Sequence, residues 1–479
     1  MLFSTASLLA QTDFEQWKAQ QQKEFSDYSA QQTKAFNDYR DKVNAEFANY
    51  LRAEWESFRA SQGIPVPTKP KPVVPPTADP NRVPSADPLP FGKVTPPPTD
   101  PVVKPQPVAP IPPTPHPTPS KPQFAFAYYG TNSKVTLDAS HRFSLRDASE
   151  NSVADAWTAL SDSRYNDMLN DCLTLRSELN LSDWGYMEML KTLSEKFLGR
   201  PCNEAVVLQM YILTQSGYKV RIARAGNKLT LLVPFQQTMY QYSYIPINVL
   251  NYYVMDKSLK GQQFQMLNHE FPKEQQASLK VMPPRFPPAA TPAKTFASER
   301  YPDVKVKVST NKNLIDFYNN YPVSSAWNLY TQASLSEQVK QALYPTLKAK
   351  IAGKRETDAA NILLNFVQTA FEYKTDDAQF GYERALFADE TFFYPYSDCE
   401  DRSILFAALV RDLLHLEVVL LHYPGHLATA VQFHDNVQGD YLNISGKKFI
   451  VCDPTYIAVD IGNAQPQFKN VAAEVIKLN

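Results

Sequence analysis

The stretch Tyr394–Leu414, "YPYSDCEDRSILFAALVRDLL", places one cysteine, Cys399, among Asp398, Glu400 and Asp401 at the start of an apolar run. Two further pieces follow it. Residues 417–433, "EVVLLHYPGHLATAVQF", read as a buried strand, a Pro-Gly turn and a second strand entered at His426. Residues 447–456, "KKFIVCDPTY", read as a strand ending in Asp453-Pro454. A lone helical cysteine is usually an inert buried residue. The ordered set of thiol, imidazole and carboxylate changes that reading.

The chemistry asks for these residue types. An imidazole takes the proton of a thiol, and a carboxylate orients and steadies the imidazolium. A helix N-terminus under the cysteine lowers its pKa and turns backbone N–H groups toward an oxyanion. Histidine and aspartate on neighbouring strands can line up beside that helix.

Cys399 at a helix start, His426 in "YPGHLATAV" and Asp453 in "CDPTY" resemble the transglutaminase-like branch of the papain-like cysteine enzymes, over about residues 335–461. The resemblance implies an α+β fold in which a nucleophile helix packs on an antiparallel sheet. It implies Cys399 as nucleophile, His426 as general base and acid, and Asp453 as the orienting carboxylate. Tyr394 and Tyr396 are candidates for the oxyanion or substrate side. Two departures stand out. Ser397 occupies a position where family members often carry glycine, and three acids crowd the thiol. Nearby negative charge raises a thiol pKa. Arg402 could offset part of that charge, and some of the acids would serve as helix caps. Cys452, adjacent to Asp453 on a strand, points to the opposite face and belongs to the core.

The chain has 479 residues, with 48 lysines plus arginines against 49 aspartates plus glutamates. No field of one sign points to nucleic acid. Four cysteines are too few for a disulfide scaffold, and no cluster has metal-ligand spacing. His422 and His426 are four apart, but Pro424 and Gly425 between them keep them off one helix face. No cofactor is implied. No segment reads as a membrane span, since the most apolar, 404–421, is broken by Arg411, Asp412 and Glu417. Residues 1–11, "MLFSTASLLAQ", look like a secretory-signal remnant and suggest an exported, periplasmic or extracellular protein.

Phe14, Phe25, Phe36, Phe47 and Phe58 recur every eleven residues, with Trp17, Tyr28, Tyr39 and Tyr50 three places on. Eleven residues make three turns at about 3.67 per turn, so residues 12–62 read as one long helix with an aromatic stripe, ended by Gly63. That stripe needs cover from a copy of itself, from a globular part of this chain or from a protein partner. Residues 63–122 hold 23 prolines and read as an extended linker. Globular composition begins near residue 123, and a second proline cluster at 282–300 separates 123–281 from 301–479.

The two globular parts echo one another. A constant offset of 197 lays Cys202 on Cys399, Glu204 on Asp401, and "YIPINVLNYYVMD" (244–256) on "YLNISGKKFIVCD" (441–453). At that offset Leu229 falls on His426, and no histidine lies between Cys202 and Asp256. The expectation is a duplicated domain whose first copy has lost its base. The aromatic segment 380–396, ahead of Cys399, would wall a substrate cleft or cover the core. The functional expectation is a cysteine enzyme acting on amide bonds of peptides or proteins through a thioester, hydrolysis being favoured over crosslinking. The alternative is a non-catalytic binding or assembly protein of the cell envelope.

Overall fold

The computed structural model describes residues 38–67, 71–78, 86, 88–97, 121–161, 165–270 and 274–478, with isolated helical positions at 20, 23 and 34. The signal-like residues 1–11 and most of the striped segment before residue 38 lie outside the described residues, as does all of 98–120.

Helix α1 (residues 38–51) is followed by strands β1 (Glu56–Arg59) and β2 (Phe91–Thr95), then by the hairpin β3 (Phe124–Tyr128) and β4 (Thr131–Val135). Four helices come next: α2 (Glu150–Leu160), α3 (Asn166–Glu178), α4 (Asp183–Phe197) and α5 (Asn203–Gln215). Strands β5 (Arg221–Ala225), β6 (Lys228–Pro234), β7 (Tyr244–Ile247), β8 (Leu250–Val254) and β9 (Gln263–Met266) complete the first half. A connecting region holds β10 (Lys294–Ala297), β11 (Lys305–Val308), α6 (Lys312–Asn319), α7 (Trp327–Gln332) and α8 (Glu337–Ile351). The second half begins with α9 (Glu356–Thr369), β12 (Glu372–Tyr373), α10 (Asp376–Phe380), α11 (Ala388–Phe393), β13 (Tyr396–Ser397) and α12 (Cys399–Leu414). It ends with β14 (Glu417–Tyr423), β15 (His426–Gln432), β16 (Tyr441–Ile444), β17 (Lys447–Cys452) and β18 (Ala473–Lys477).

The architecture is α+β. One six-stranded sheet runs β1-β9-β5-β6-β8-β7 and the other β2-β18-β14-β15-β17-β16, so the strand orders correspond place for place. In each, a helix packs on the central hairpin: α5 on β6, and α12 on β14 and β15. β15 reads as a continuous apolar run because both of its faces are covered. Leu427 and Val431 join the core beneath α12, while Ala428 and Ala430 join a second cluster with Leu89, Phe449 and Val475. One apolar core runs through both halves, from Trp157 and Tyr211 to Phe366 and Val431.

Three expectations about boundaries need correction. The striped helix does not extend to residue 62. It ends near residue 52, and Phe58 lies in β1, paired with Phe264 of β9. The helix packs on this chain's own globular part: Phe47 stacks on Trp157 at 4.0 Å, and Gln215 Nε2 donates to Asn44 Oδ1 at 2.6 Å. The described residues of 63–97 are not a free linker but form a strap docked on the globular part. β2 pairs in parallel with β18, Leu89 N donates to Tyr441 O at 2.7 Å, and Ala78 N donates to Ile457 O at 3.1 Å. Prolines lose their N–H but keep their carbonyls. Pro72 O and Pro76 O accordingly accept from Tyr373 Oη and Ile457 N, both at 2.9 Å. The cluster at 282–300 is likewise held down: Arg285 N donates to Leu179 O, Asn180 Nδ2 to Pro283 O, and β10 pairs with β11.

Candidate active site

Asp398, in extended conformation, starts α12. Asp401 acts as the cap: its carboxylate accepts from Asp398 N at 3.1 Å and Leu386 N at 2.8 Å. Cys399 is therefore the first helical residue, and it is buried. One turn later Ser403 Oγ donates to Leu427 O at 2.8 Å. Residues four apart share a helix face, so the thiol lies at the hairpin end of β15, where His426 begins the strand.

His426 pairs with Tyr423 across Pro424-Gly425. Proline suits the first turn position, and Gly425, at φ 74°, supplies the positive φ of the second. Asp453 follows β17, the neighbour of β15. His426 Nε2 lies 2.8 Å from Asp453 Oδ2, with both side chains buried. Asp453 Oδ1 accepts from Thr455 N at 2.9 Å. Burial opposes ionisation of Asp453, yet His426, Thr455 and Gln465 together hold its carboxyl below the usual range.

The sequence reading missed two residues here. Gln465 Nε2 stands 2.9 Å from Asp453 Oδ2 and 3.2 Å from His426 Nε2. Phe468 stacks on the imidazole at 4.9 Å and 5° and on Tyr423 at 4.7 Å. Neither belongs to a motif, and only the fold brings them in. The ring is thus fixed with Nε2 engaged, and Nδ1 has no hydrogen-bond partner among the described residues.

The thiol itself is engaged elsewhere. Cys399 Sγ donates to Glu400 Oε2 at 2.8 Å, and among the described residues no hydrogen bond joins it to His426. His426 shares its face of the sheet with Tyr423 and Ala428, whereas Leu427 faces α12. Burial and Glu400 push the Cys399 thiol well above its ordinary value, with Lys71 opposing.

Lys71 explains the crowd of acids. Its ammonium, on a side chain only 2% exposed, lies 2.7 Å from Glu383, 2.8 Å from Asp398, 2.7 Å from Glu400 and 4.0 Å from Asp376. Burial resists ionisation of Glu400, but Lys71 outweighs it and holds that carboxyl at about 2. Burial and neighbouring carboxylates push Asp376 up to about 9 and Asp401 up to about 7. Arg402 donates to Gln368 O at 3.1 Å and Phe371 O at 2.7 Å, and its charge also acts on Asp398, Asp401 and Cys399, so it offsets part of the negative charge as the sequence suggests. The groups Asp398–Cys399–Glu400 and Asp376–Asp398–Asp401 each converge closely enough to hold a cation, and Lys71 already supplies one.

Among the described residues no hydrogen bond brings Tyr394 or Tyr396 to the thiol. Tyr394 Oη meets Asn319 Oδ1 at 2.5 Å, and Tyr396 carries Lys374 Nζ 4.7 Å from its ring centre. Tyr373, whose hydroxyl holds the strap at Pro72, lies nearer the acids. Cys452 is buried in the core beneath α12.

In the first half, Cys202 precedes α5 and lines a cavity of about 1270 Å³ together with Lys228 and Asp256. Lys228 pairs with Ala225 across a two-residue turn, as His426 does with Tyr423. Lys228, not Leu229, therefore stands where His426 stands. The gapless offset errs by one because β15 and β17 carry different offsets, and a one-residue slip changes faces. Leu229 is buried in the core, while Lys228 Nζ lies 2.5 Å from Asp256 Oδ2.

The chain matches no protein-family model, no curated protein and no solved structure. Among the described residues no helix is long and apolar enough to cross a membrane.

Proposed function

We propose that the chain is a transglutaminase-like thiol enzyme acting on amide bonds of peptides or proteins, held here in a closed state. The observation that carries this reading is the buried His426–Asp453 pair, steadied by Gln465, at the same end of β15 as the helix start bearing Cys399. The reaction requires an open state in which the thiol leaves Glu400 and the His426 imidazole turns from the sheet face it shares with Tyr423 toward the start of α12, so that the thiol proton passes to His426 Nδ1. Sulfur then attacks the amide carbonyl, and the C–N bond breaks as the amine takes the proton from His426. Water, deprotonated by His426, next attacks the thioester, releasing a carboxylic acid and the free thiol. An amine in place of water would make a crosslink, and hydrolysis is the favoured outcome. Asp453 keeps the imidazolium oriented throughout. Export through residues 1–11 is part of the proposal.

The proposal extends to ancestry. The matching strand orders and the Lys228–Asp256 pair, standing where His426–Asp453 stands, favour a duplication whose first copy traded its imidazole for an ammonium. A lysine side chain does not serve the proton-cycling role of a histidine.

A second reading, a binding or assembly protein with a latent triad, is favoured by one observation: the thiol's hydrogen bond goes to Glu400. Alkylation by iodoacetamide, followed by peptide mapping, separates the two. Cys399 should label about tenfold or more slowly in His426→Ala than in the parent, in the wild type and again in a Lys71→Ala background. Equal rates in both backgrounds would leave only the binding reading.

A further inference from the structure

The four carboxylates around Lys71 form a pocket beside the candidate nucleophile, and the cation inside it belongs to a segment some 300 residues away in sequence. Asp376, Asp398 and Glu400 are all buried. Buried carboxylates without a counter-charge are costly, so the site is built around a cation. Asp398 Oδ1 provides a second sign of a ligand site: while Oδ2 accepts from Lys71 Nζ and Asp376 N, Oδ1 is fully buried and has no hydrogen-bond partner among the described residues.

The way Lys71 arrives is equally informative. Its segment reaches from the acids beside the thiol at Lys71 to Ile457 at residues 76–78. Val66 and Pro67 line a cavity of about 370 Å³ with Glu383, Arg384 and Glu400. Lys71 then enters the acidic pocket, and Tyr373 holds Pro72 O. Residues 76–78 pair through the backbone with Ile457, four residues after Asp453. Backbone pairing along an extended chain, with one side chain sunk in a pocket, is how enzymes hold polypeptides.

We propose that this pocket is a recognition site for the ammonium of a lysine-type side chain on an extended polypeptide, and that Lys71 is its resident occupant. The proposal rests on the enzymatic reading for its biological use, since a substrate must displace the strap. The binding event itself needs no catalysis. With the strap seated, the pocket is filled by the chain itself.

The test uses the full chain in a Cys399→Ala background, so that turnover plays no part. Two fluorescent peptides of the sequence 66–78, both with alanine in place of Lys69, are compared, one with lysine at position 71 and one with norleucine there. Lys71→Ala should bind the lysine peptide about tenfold or more tightly than the norleucine peptide, and about tenfold more tightly than the protein with Lys71 intact. Propylamine should raise the melting temperature of Lys71→Ala saturably and leave that of the parent unmoved. Equal affinity for the two peptides, no response to propylamine, or tight manganese binding in place of amine binding would each overturn the proposal. Lys71→Met keeps the aliphatic stem, and its norleucine-blind binding gives the same decision should Lys71→Ala not fold. If the lysine preference holds while Cys399 labelling proves independent of His426, the pocket stands and the enzymatic reading falls.

Discussion

At the scale of single residues, the acids of "SDCED" divide their work in a way the sequence could show only partly. That Asp401 caps the helix was legible, because an acid three places after Asp398 is a helix-start pattern. That Glu400 takes the thiol's proton in a hydrogen bond was not, because neighbours on a helix do not ordinarily face each other. Lys71 was invisible because its partners are remote in sequence and the chain's total charge is balanced. The one clue was an excess of acids at 398–401 with only Arg402 beside them. These groups set a pH dependence. Asp376 and Asp401, raised to about 9 and about 7, hold protons in the folded state that the unfolded chain releases near pH 4. The folded state thus binds more protons across that window, and stability falls as pH rises from about 5 to about 9. Asp376→Asn keeps an acceptor for Arg384 N and removes one of these groups. Urea midpoints of that variant should fall less over the same range than those of the wild type. A parallel decline in the two proteins would refute this assignment.

At the scale of elements, the central helix and its hairpin were the most readable part. An apolar run at 404–410 behind a cap, then two strands around Pro-Gly, leave few alternatives, and α12, β14 and β15 lie where that pattern puts them. The proline-rich segment was the least readable. Counting prolines measures lost N–H donors, but the strap binds largely through carbonyls and through the N–H groups of Ala78 and Leu89. The aromatic repeat misled at its end, since Phe58 continues the eleven-residue spacing while its backbone joins a sheet. Where α1 is described, its buried positions Arg40, Asn44, Phe47, Ala48 and Leu51 follow helical spacing against the first half. Phe47→Ala should cost about 3 kcal/mol, read from chemical denaturation, because a buried ring stacked on Trp157 leaves a cavity. A loss below about 1 kcal/mol would mean that α1 is not part of the cooperative core.

At the scale of the whole molecule, the sequence suggested two units joined by linkers, and the structure shows two sheets sharing one core. Trp184 of the first half contacts Tyr321, and Ser182 Oγ lies 3.1 Å from Tyr321 Oη. The full chain should therefore melt in a single transition by circular dichroism. Residues 301–479 produced alone should lack that cooperative transition, having lost β2, the strap and the shared core. A cleanly melting 301–479 would show that the second half stands alone.

The outer strands of the two sheets, β1 and β2, come from one N-terminal arm, and β2 docks on β18. During synthesis the arm leaves the ribosome first, while its docking edge is made after every other strand of that sheet. Lys71 can seat only once its partners Asp376, Glu383, Asp398 and Glu400 have been made, so a pairing that spans some 300 residues sets the pace of assembly. Until then the acidic pocket faces its surroundings without its own cation, and a newly made molecule passes through an interval in which it is chemically open before it latches shut.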